Sequence, residues 1–307
     1  LSDKVECSQS GCDSGICGFY DGFHMTAEDI VAQVKDLPVV SETARKLTVQ
    51  LGQPDLHRDE LVKTLSRDSV LTAKVLRVCN SAEMGAREPI TSIDQALLML
   101  GDNAIFRMVS AVGFGDCLGL RAPGYDTEAN GLWTHSLTAA LGAEYPIAEE
   151  SYGDFPVSTA FTAGLLHDIG KMVINRFLTP KTRASIRAAM TEESITRVAA
   201  EKAVLGANHS EVGACLLSRW ALPEPIIEAV ANHHSPVTAP VVQLSAVVYL
   251  ANCAAHIGGQ SFGWEARLAE TSKVAANMLK MELAQAEKMV AGIQLAVQKL
   301  PSMEAAA

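Results

Sequence analysis

The chain has 307 residues, of which 48% are hydrophobic, 20% charged and 5% aromatic. That length and mix support a packed core without disulfides and exclude a disordered chain. The formal charge of −10 supplies no global basic field, which excludes nucleic acid as a general partner but leaves room for a local basic pocket that takes a small phosphate ligand.

Residues 1–25 read as a Gly/Ser/Asp-rich leader with Cys7, Cys12 and Cys17 spaced by five, which is not the C-x2-C spacing of a metal site. The leader has no basic-then-apolar signal pattern. Four further cysteines scattered singly through helical segments suggest reduced thiols in the cytoplasm. Thr26-Ala-Glu-Asp29 has the form of a capping box and opens the helical part of the chain. Leu61 with Leu65, then Val70, Leu71, Val75 and Val78, recur at steps of three and four and predict helices over 59–65 and 70–81. Ser92-Ile-Asp-Gln95 is a second capping-box pattern, opening a helix through Leu100 that Gly101 stops. Residues 103–114 read as another apolar helix.

Arg121-Ala-Pro-Gly-Tyr125 is the clearest break between two halves. Helical pattern resumes at Asn130, with breaks near 152–156, 178–182, 222–225 and 235–240. No apolar run reaches the ~18 residues of a membrane helix. Val237–Ala255 comes nearest, but Pro240, Gln243, Ser245 and Asn252 make it a buried helix, so no membrane partner is expected. Residues 264–300 form a long amphipathic segment with Leu268, Val274, Met278, Met281, Leu283 and Met289, suited to packing on its own bundle or on another chain. Strand-period alternation and internal repeats are both absent. The expected fold is all-α, a multi-helix bundle. Its expected parts are a leader (1–25), an N-terminal helical subdomain (26–122), a second helical subdomain (123–260) and the amphipathic segment (261–307).

The chemistry-bearing residues concentrate in the second half. Five of the eight histidines are His135, His167, His209, His233 and His234, and His167 is followed by Asp168. Phe161–Lys171 reads as one helix packed by Phe161, Leu165 and Ile169. Ala160, Gly164, His167 and Lys171 then share a stripe whose small residues leave room for another helix or a ligand. His209 begins an inward stripe continued by Val212, Leu216 and Trp220, and Ile226, Ile227 and Val230 lead to His233. His135 shares its stripe with Leu132, Ala139 and Gly142. His24, His57 and His256 lack such settings and read as ordinary. Imidazole with carboxylate suits Zn, Mn, Fe or Ni. An Asp can bridge two such ions, and a bound divalent ion lowers the pKa of a coordinated water. Lys171, one turn beyond His167, is placed to bind a phosphate oxygen.

His135, the doublet His167-Asp168 within Leu165-Leu-His-Asp-Ile-Gly-Lys171, His209 and the doublet His233-His234 resemble the HD superfamily of metal-dependent phosphohydrolases. Their order is closest to the cyclic di-GMP phosphodiesterases called HD-GYP. That family has a distal Asp ligand where this chain aligns Asn252, and a Gly-Tyr-Pro loop where it has Ser235-Pro-Val-Thr-Ala-Pro240. In the first half, Asp36-Leu-Pro-Val-Val40, Ser66–Arg77, Val78-Cys-Asn-Ser-Ala82, Ile90–Ala96 and Leu100-Gly101 resemble the HDOD module, over roughly residues 27–260. Here Asn80, Asp94 and Gln95 read as fold determinants at helix ends, and Arg67, Lys74 and Arg77 as a solvated face.

The resemblance implies a bacterial signal-transduction protein with one or two divalent transition-metal ions at His135, His167, Asp168, His209, His233 and His234, with Asn252 nearby. Its partner would be a signalling protein or a small phosphate-containing ligand. The alternatives are an active phosphohydrolase, with Asp168 and Lys171 as catalytic residues, and a non-enzymatic interaction scaffold. Oligomeric state stays open.

Overall fold

Thr26 caps the first helix. Its hydroxyl accepts from the Asp29 N–H while the Asp29 carboxylate accepts from the Thr26 N–H, the reciprocal pattern read from the sequence. The computed structural model describes residues 25–34, 40, 42–51, 58–81, 88–150, 152–153, 155–236, 242–257, 273 and 276–298. Cys7, Cys12, Cys17, His24, His57, most of Asp36–Val40, Ala82, residues 237–240, Leu268 and Val274 lie outside them.

In chain order the helices are α1 (Ala27–Gln33), α2 (Glu42–Leu51), α3 (Arg58–Leu65), α4 (Ser69–Cys79) and α5 (Ile93–Leu100). Then come α6 (Asp102–Leu118), α7 (Gly131–Glu150), α8 (Val157–Leu166), α9 (Ile169–Ile174) and α10 (Pro180–Glu192). The last are α11 (Arg197–Leu205), α12 (His209–Arg219), α13 (Glu224–Asn232), α14 (Val242–Ile257) and α15 (Leu283–Gln298). The described residues contain no strand, only an isolated bridge between Ala122 and Thr127, so the class is all-α. No helix among them is long and apolar enough to cross a membrane. None of Cys79, Cys117, Cys215 and Cys253 forms a disulfide with another described cysteine.

Local chemistry fixes the junctions of the first half. Asn80 ends α4, and its amide donates to Leu76 O and Ile90 O while accepting from Ile90 N–H, each at 2.8 Å. One side chain thus ties the end of α4 to the approach of α5. Ser92 caps α5 through the Gln95 N–H, but the Gln95 side chain accepts from Thr91 N–H at 2.9 Å rather than from Ser92. Half of the expected box forms, shifted by one residue.

Helix α6 is the wall between two cores. Phe106, Ala111, Phe114, Cys117 and Leu118 face the larger core, built with α1 and α7–α14. Ile105, Met108, Val109 and Val112 face a smaller one, built with α2–α5. A helix apolar on both sides is a buried helix. The described part of the amphipathic segment packs on its own chain: Ala286, Met289, Val290 and Ile293 of α15 are buried with Ala246, Leu250 and Ala254 of α14. Leu283, expected on its apolar face, is exposed instead.

Two glycines set the spacing around the histidines. A Cβ on Gly164 of α8 would lie 2.8 Å from Ala139 O and Ala140 Cα of α7, so the room beside His167 is filled by a helix. A Cβ on Gly170 of α9 would lie 1.9 Å from His209 O and 2.7 Å from Gly213 N of α12, backbone that cannot swing aside.

The stretch 161–171 is not one helix. It breaks at His167-Asp168, where Asp168 has φ −100 and ψ 8, and restarts as α9. On an unbroken helix neighbouring side chains diverge by about 100°. With the break, His167 Nε2 and Asp168 Oδ2 converge to 3.3 Å. Asp168 sits where an Asp would ordinarily cap its helix, yet its carboxylate makes no cap bond and turns to the histidines.

We predict that Gly170→Ala separates α9 from α12 and destabilises the fold by at least about 1–3 kcal/mol, the usual cost of overpacking. A thermal melt lower by several degrees than wild type is the expected outcome. An unchanged melt would contradict the backbone contact.

Candidate metal centre

The residues that converge come from helix ends. His135 lies in the first turns of α7, His167 and Asp168 in the α8–α9 break, His209 at the start of α12, and His233 and His234 just past α13. Asp168 is 0% exposed, as are His135, His167, His209 and His233, while His234 is partly exposed.

The carboxylate of Asp168 faces two sets of imidazoles. Its Oδ2 lies 3.3 Å from His167 Nε2 and 3.5 Å from His135 Nε2, which are 3.2 Å from each other. Its Oδ1 lies 3.4 Å from His209 Nε2 and 3.7 Å from His233 Nε2, and His234 Nε2 is 2.9 Å from that of His209. Donor atoms ~2.0–2.1 Å from one ion sit about 3.0–3.5 Å apart at octahedral or tetrahedral angles. The two sets, His135–His167–Asp168 and Asp168–His209–His233–His234, therefore have the spacing of two ligand groups sharing one carboxylate.

The opposite edges of the rings are fixed by the fold. His167 Nδ1 is bonded to Gly164 O and His233 Nδ1 to Val230 O, each at 2.7 Å. His209 Nδ1 is 2.6 Å from Glu201 Oε2, which also accepts the His209 backbone N–H at 3.0 Å. With the Nδ1 edges bonded, each ring presents Nε2 to the centre. Asp168 Oδ1 and His233 Nε2 are buried with no hydrogen-bond partner among the described residues. A carboxylate oxygen and an imidazole lone pair that share a dry site without a donor suit a cation between them.

The electrostatics agree. Burial, aided by neighbouring histidines, holds His135, His233 and His234 well below the ordinary imidazole value, which keeps them neutral as ligands must be. For Asp168, burial acts to raise the pKa, but His167, Lys171 and His209 outweigh it and hold the carboxyl well below its ordinary value. Lys171 is 3% exposed and donates to Asp168 Oδ2 at 2.5 Å. It is a buried counter-ion here, where the sequence suggested a contact for phosphate.

Three contributors escaped the sequence reading. His256 of α14, read as ordinary, is buried with its ring centroid 4.7 Å from that of His135, and burial first, then Lys171, pulls its pKa to about 4. Glu201 of α11 is fully buried and orients His209. Tyr125, read only as part of a break, sets its ring edge-on to His209 at 6.4 Å. Arg197 lies over the Tyr125 ring at 4.4 Å and 3.3 Å from Glu201 Oε1. Asn252 is also buried near this end of the bundle, one helical turn before His256.

A family model described as HDOD domain matches residues 37–236. An uncharacterised protein of Treponema pallidum (strain Nichols) is 25% identical over 217 residues, 70% of this chain but 40% of its own length, so the chain spans well under half of that relative. Among solved structures, an HDOD domain protein with unknown function from Geobacter sulfurreducens has a TM-score of 0.66 at 26% identity, over 91% of this chain and 93% of that one. A candidate phosphohydrolase from Shewanella amazonensis SB2B has a TM-score of 0.65 at 22% identity, over 90% and 98% of the two chains, a likeness of fold.

Two predictions follow from the geometry. In metal-free protein the depressed histidines add protons only after unfolding, so stability is full above their ordinary value of 6.5 and falls as pH drops below it toward the folded values. Calorimetry in chelator should show a melting temperature that is level near pH 7 and declines below about pH 6.5. Glu201→Gln removes the charge that orients His209 and should weaken metal uptake by about 10–100-fold, read by metal titration.

Proposed function

The chain belongs to the HDOD family, and on that premise we propose that it is a bacterial signalling module that holds one or two divalent transition-metal ions and binds a phosphate-bearing ligand at them. The observation that carries this reading is Asp168, whose two oxygens face separate histidine sets. His135, His167 and Asp168 Oδ2 would hold one ion; Asp168 Oδ1, His209, His233 and His234 would hold the other. The imidazole-rich donor set suits Fe, Mn, Ni or Zn. Such an ion supplies Lewis acidity toward a phosphoryl oxygen and lowers the pKa of coordinated water.

The chain's own residues prepare that site. Gly164 O, Val230 O and Glu201 hold the rings in place, and the burial of four of them excludes water around Asp168. Lys171 neutralises Oδ2, and beside a bound ion its ammonium would be placed to meet a phosphate oxygen, the role the sequence suggested. A cytoplasmic location, with an unidentified signalling partner, completes the proposal.

A second reading is hydrolysis of a phosphodiester or nucleotide phosphate, with Asp168 orienting the metals and Lys171 steadying the phosphate. The pairing of Asp168 with Lys171 favours it. Residue 252 weakens it, because an amide stands where the HD-GYP resemblance places a carboxylate.

Metal analysis of the protein purified without chelator tests the first reading. Bound Mn, Fe, Ni or Zn is expected, and the His167→Ala, Asp168→Ala double variant should lose it. Protein that is metal-free and takes up none of these metals would sink it. Metal-dependent turnover of cyclic dinucleotides or nucleotide phosphates, absent from the double variant, would establish the second.

A further inference from the structure

Glu201 uses both of its oxygens. Oε2 holds His209 by the ring and by the backbone N–H, and Oε1 accepts the Arg197 Nε–H at 3.3 Å. Arg197 is the first residue of α11, just after the Thr196 cap. That is the unfavourable end of a helix for a cation, because the free N–H groups there carry positive partial charge. An Arg four residues before a Glu is also the weaker order for a helical ion pair. Local helix chemistry therefore does not account for this residue, and its contacts across the fold do.

The same guanidinium donates to Gly124 O at 2.9 Å and lies over the Tyr125 ring at 4.4 Å. Its side chain is only 16% exposed. Gly124 and Tyr125 belong to the short turn Pro123–Tyr125, which follows α6 and carries the chain from the first half toward α7. Two other groups pin the turn. Asn175 Oδ1 accepts the Gly124 N–H at 2.8 Å, and Arg183 donates to Pro123 O at 2.8 Å. Tyr125 then sets its ring edge-on to that of His209. These contacts lead to His209, whereas His167 of the other set is fixed by Gly164 O of α8.

We propose that Arg197 is a positioning residue for the Asp168 Oδ1 position. One planar group holds Glu201 behind His209 and ties that carboxylate to the turn that joins the two halves. The placement of the turn therefore sets His209 as a ligand and leaves His135 and His167 as they are. A guanidinium suits the task, since its donors form a fixed fork and its face stacks on an aromatic ring. This rests on the metal-binding reading above.

The test uses the full chain, stripped of metal and titrated with Co(II), read by bound stoichiometry and by the visible spectrum of the bound ion. Wild type should bind two ions, one removed by His135→Ala and the other by His209→Ala. Arg197→Gln should weaken the His209-dependent ion by about ten-fold, the lower end of the loss when a supporting partner of a metal ligand is removed. It should also alter the spectrum of that ion and leave the His135-dependent ion as in wild type. A residue that only packs the fold would lower both or neither. Because the route runs through Glu201, the losses from Arg197→Gln and Glu201→Gln should combine to less than their sum. Arg197→Lys keeps the charge without the fork. It should shift the same spectrum, and it is the second probe should Arg197→Gln melt far below wild type. Equal loss at both ions, no change at the His209-dependent ion, or fully additive losses overturn the inference and leave the metal reading standing. Cobalt-loaded wild type with no His209-dependent ion does the same. Wild type that takes up no cobalt overturns both.

Discussion

The structure depends on keeping one carboxylate ionised where no water reaches it. Removing a carboxylate from water costs several kcal/mol even after relaxation, and unpaired burial is rarely tolerated. Asp168 has no solvent exposure, and the surrounding groups compensate it. Lys171 supplies the opposite charge at 2.5 Å, and histidine nitrogens occupy the remaining directions. That compensation is lopsided. Oδ2 has a full cation, while Oδ1 makes no hydrogen bond among the described residues. In a closed structural ion pair both oxygens would be satisfied, and here one of them is not.

Bringing these groups together is a problem of helix spacing. A histidine can reach a shared point only if its helix approaches closely, and large side chains between helices would hold it off. At the decisive contacts the chain has small residues instead: Gly164 against Ala139 and Ala140, Gly142 against Ala251, and Gly170 against the backbone of α12. The same contacts that pack α7, α8, α9, α12 and α14 therefore set the positions of His135, His167, His209 and His256. The break after α8 completes the arrangement by letting two adjacent residues face inward.

This explains what was legible in the sequence. The all-α class, the Thr26 box, the Asn80 junction and the convergence of His135, His167, His209, His233 and His234 follow from short-range signals or from motif order. His256 reads as ordinary because the nearest positions on its stripe are Asn252 and Cys253 rather than large aliphatic side chains. That criterion recognises packing against bulky side chains and misses faces that pack backbone to backbone. Glu201 has no local mark at all, since a glutamate in a helix ordinarily faces solvent, and only the turn between α11 and α12 folds it back onto His209. The α8–α9 break is hidden because the apolar spacing of 161–171 continues through it. What a sequence period cannot register is a change of direction that preserves the period.

The centre is not mechanically separate from the first half of the chain. Phe106 of α6 meets Phe161 of α8 edge to face, with ring centroids 6.2 Å apart, and α8 ends at His167. The opposite side of α6 packs Ile105, Met108, Val109 and Val112 into the core of α2–α5. Arg45 of α2 donates to Trp220 O at the end of α12, the helix that begins at His209, at 2.6 Å. Packed interiors have little free volume, so a shift of α8 or α12 must be accommodated by the elements that touch them. The elements that carry the clustered histidines are thus anchored to the first half. A change in the charge around Asp168 that moved either helix would have to be met by α6 and α2, so the first half is mechanically coupled to the histidine cluster.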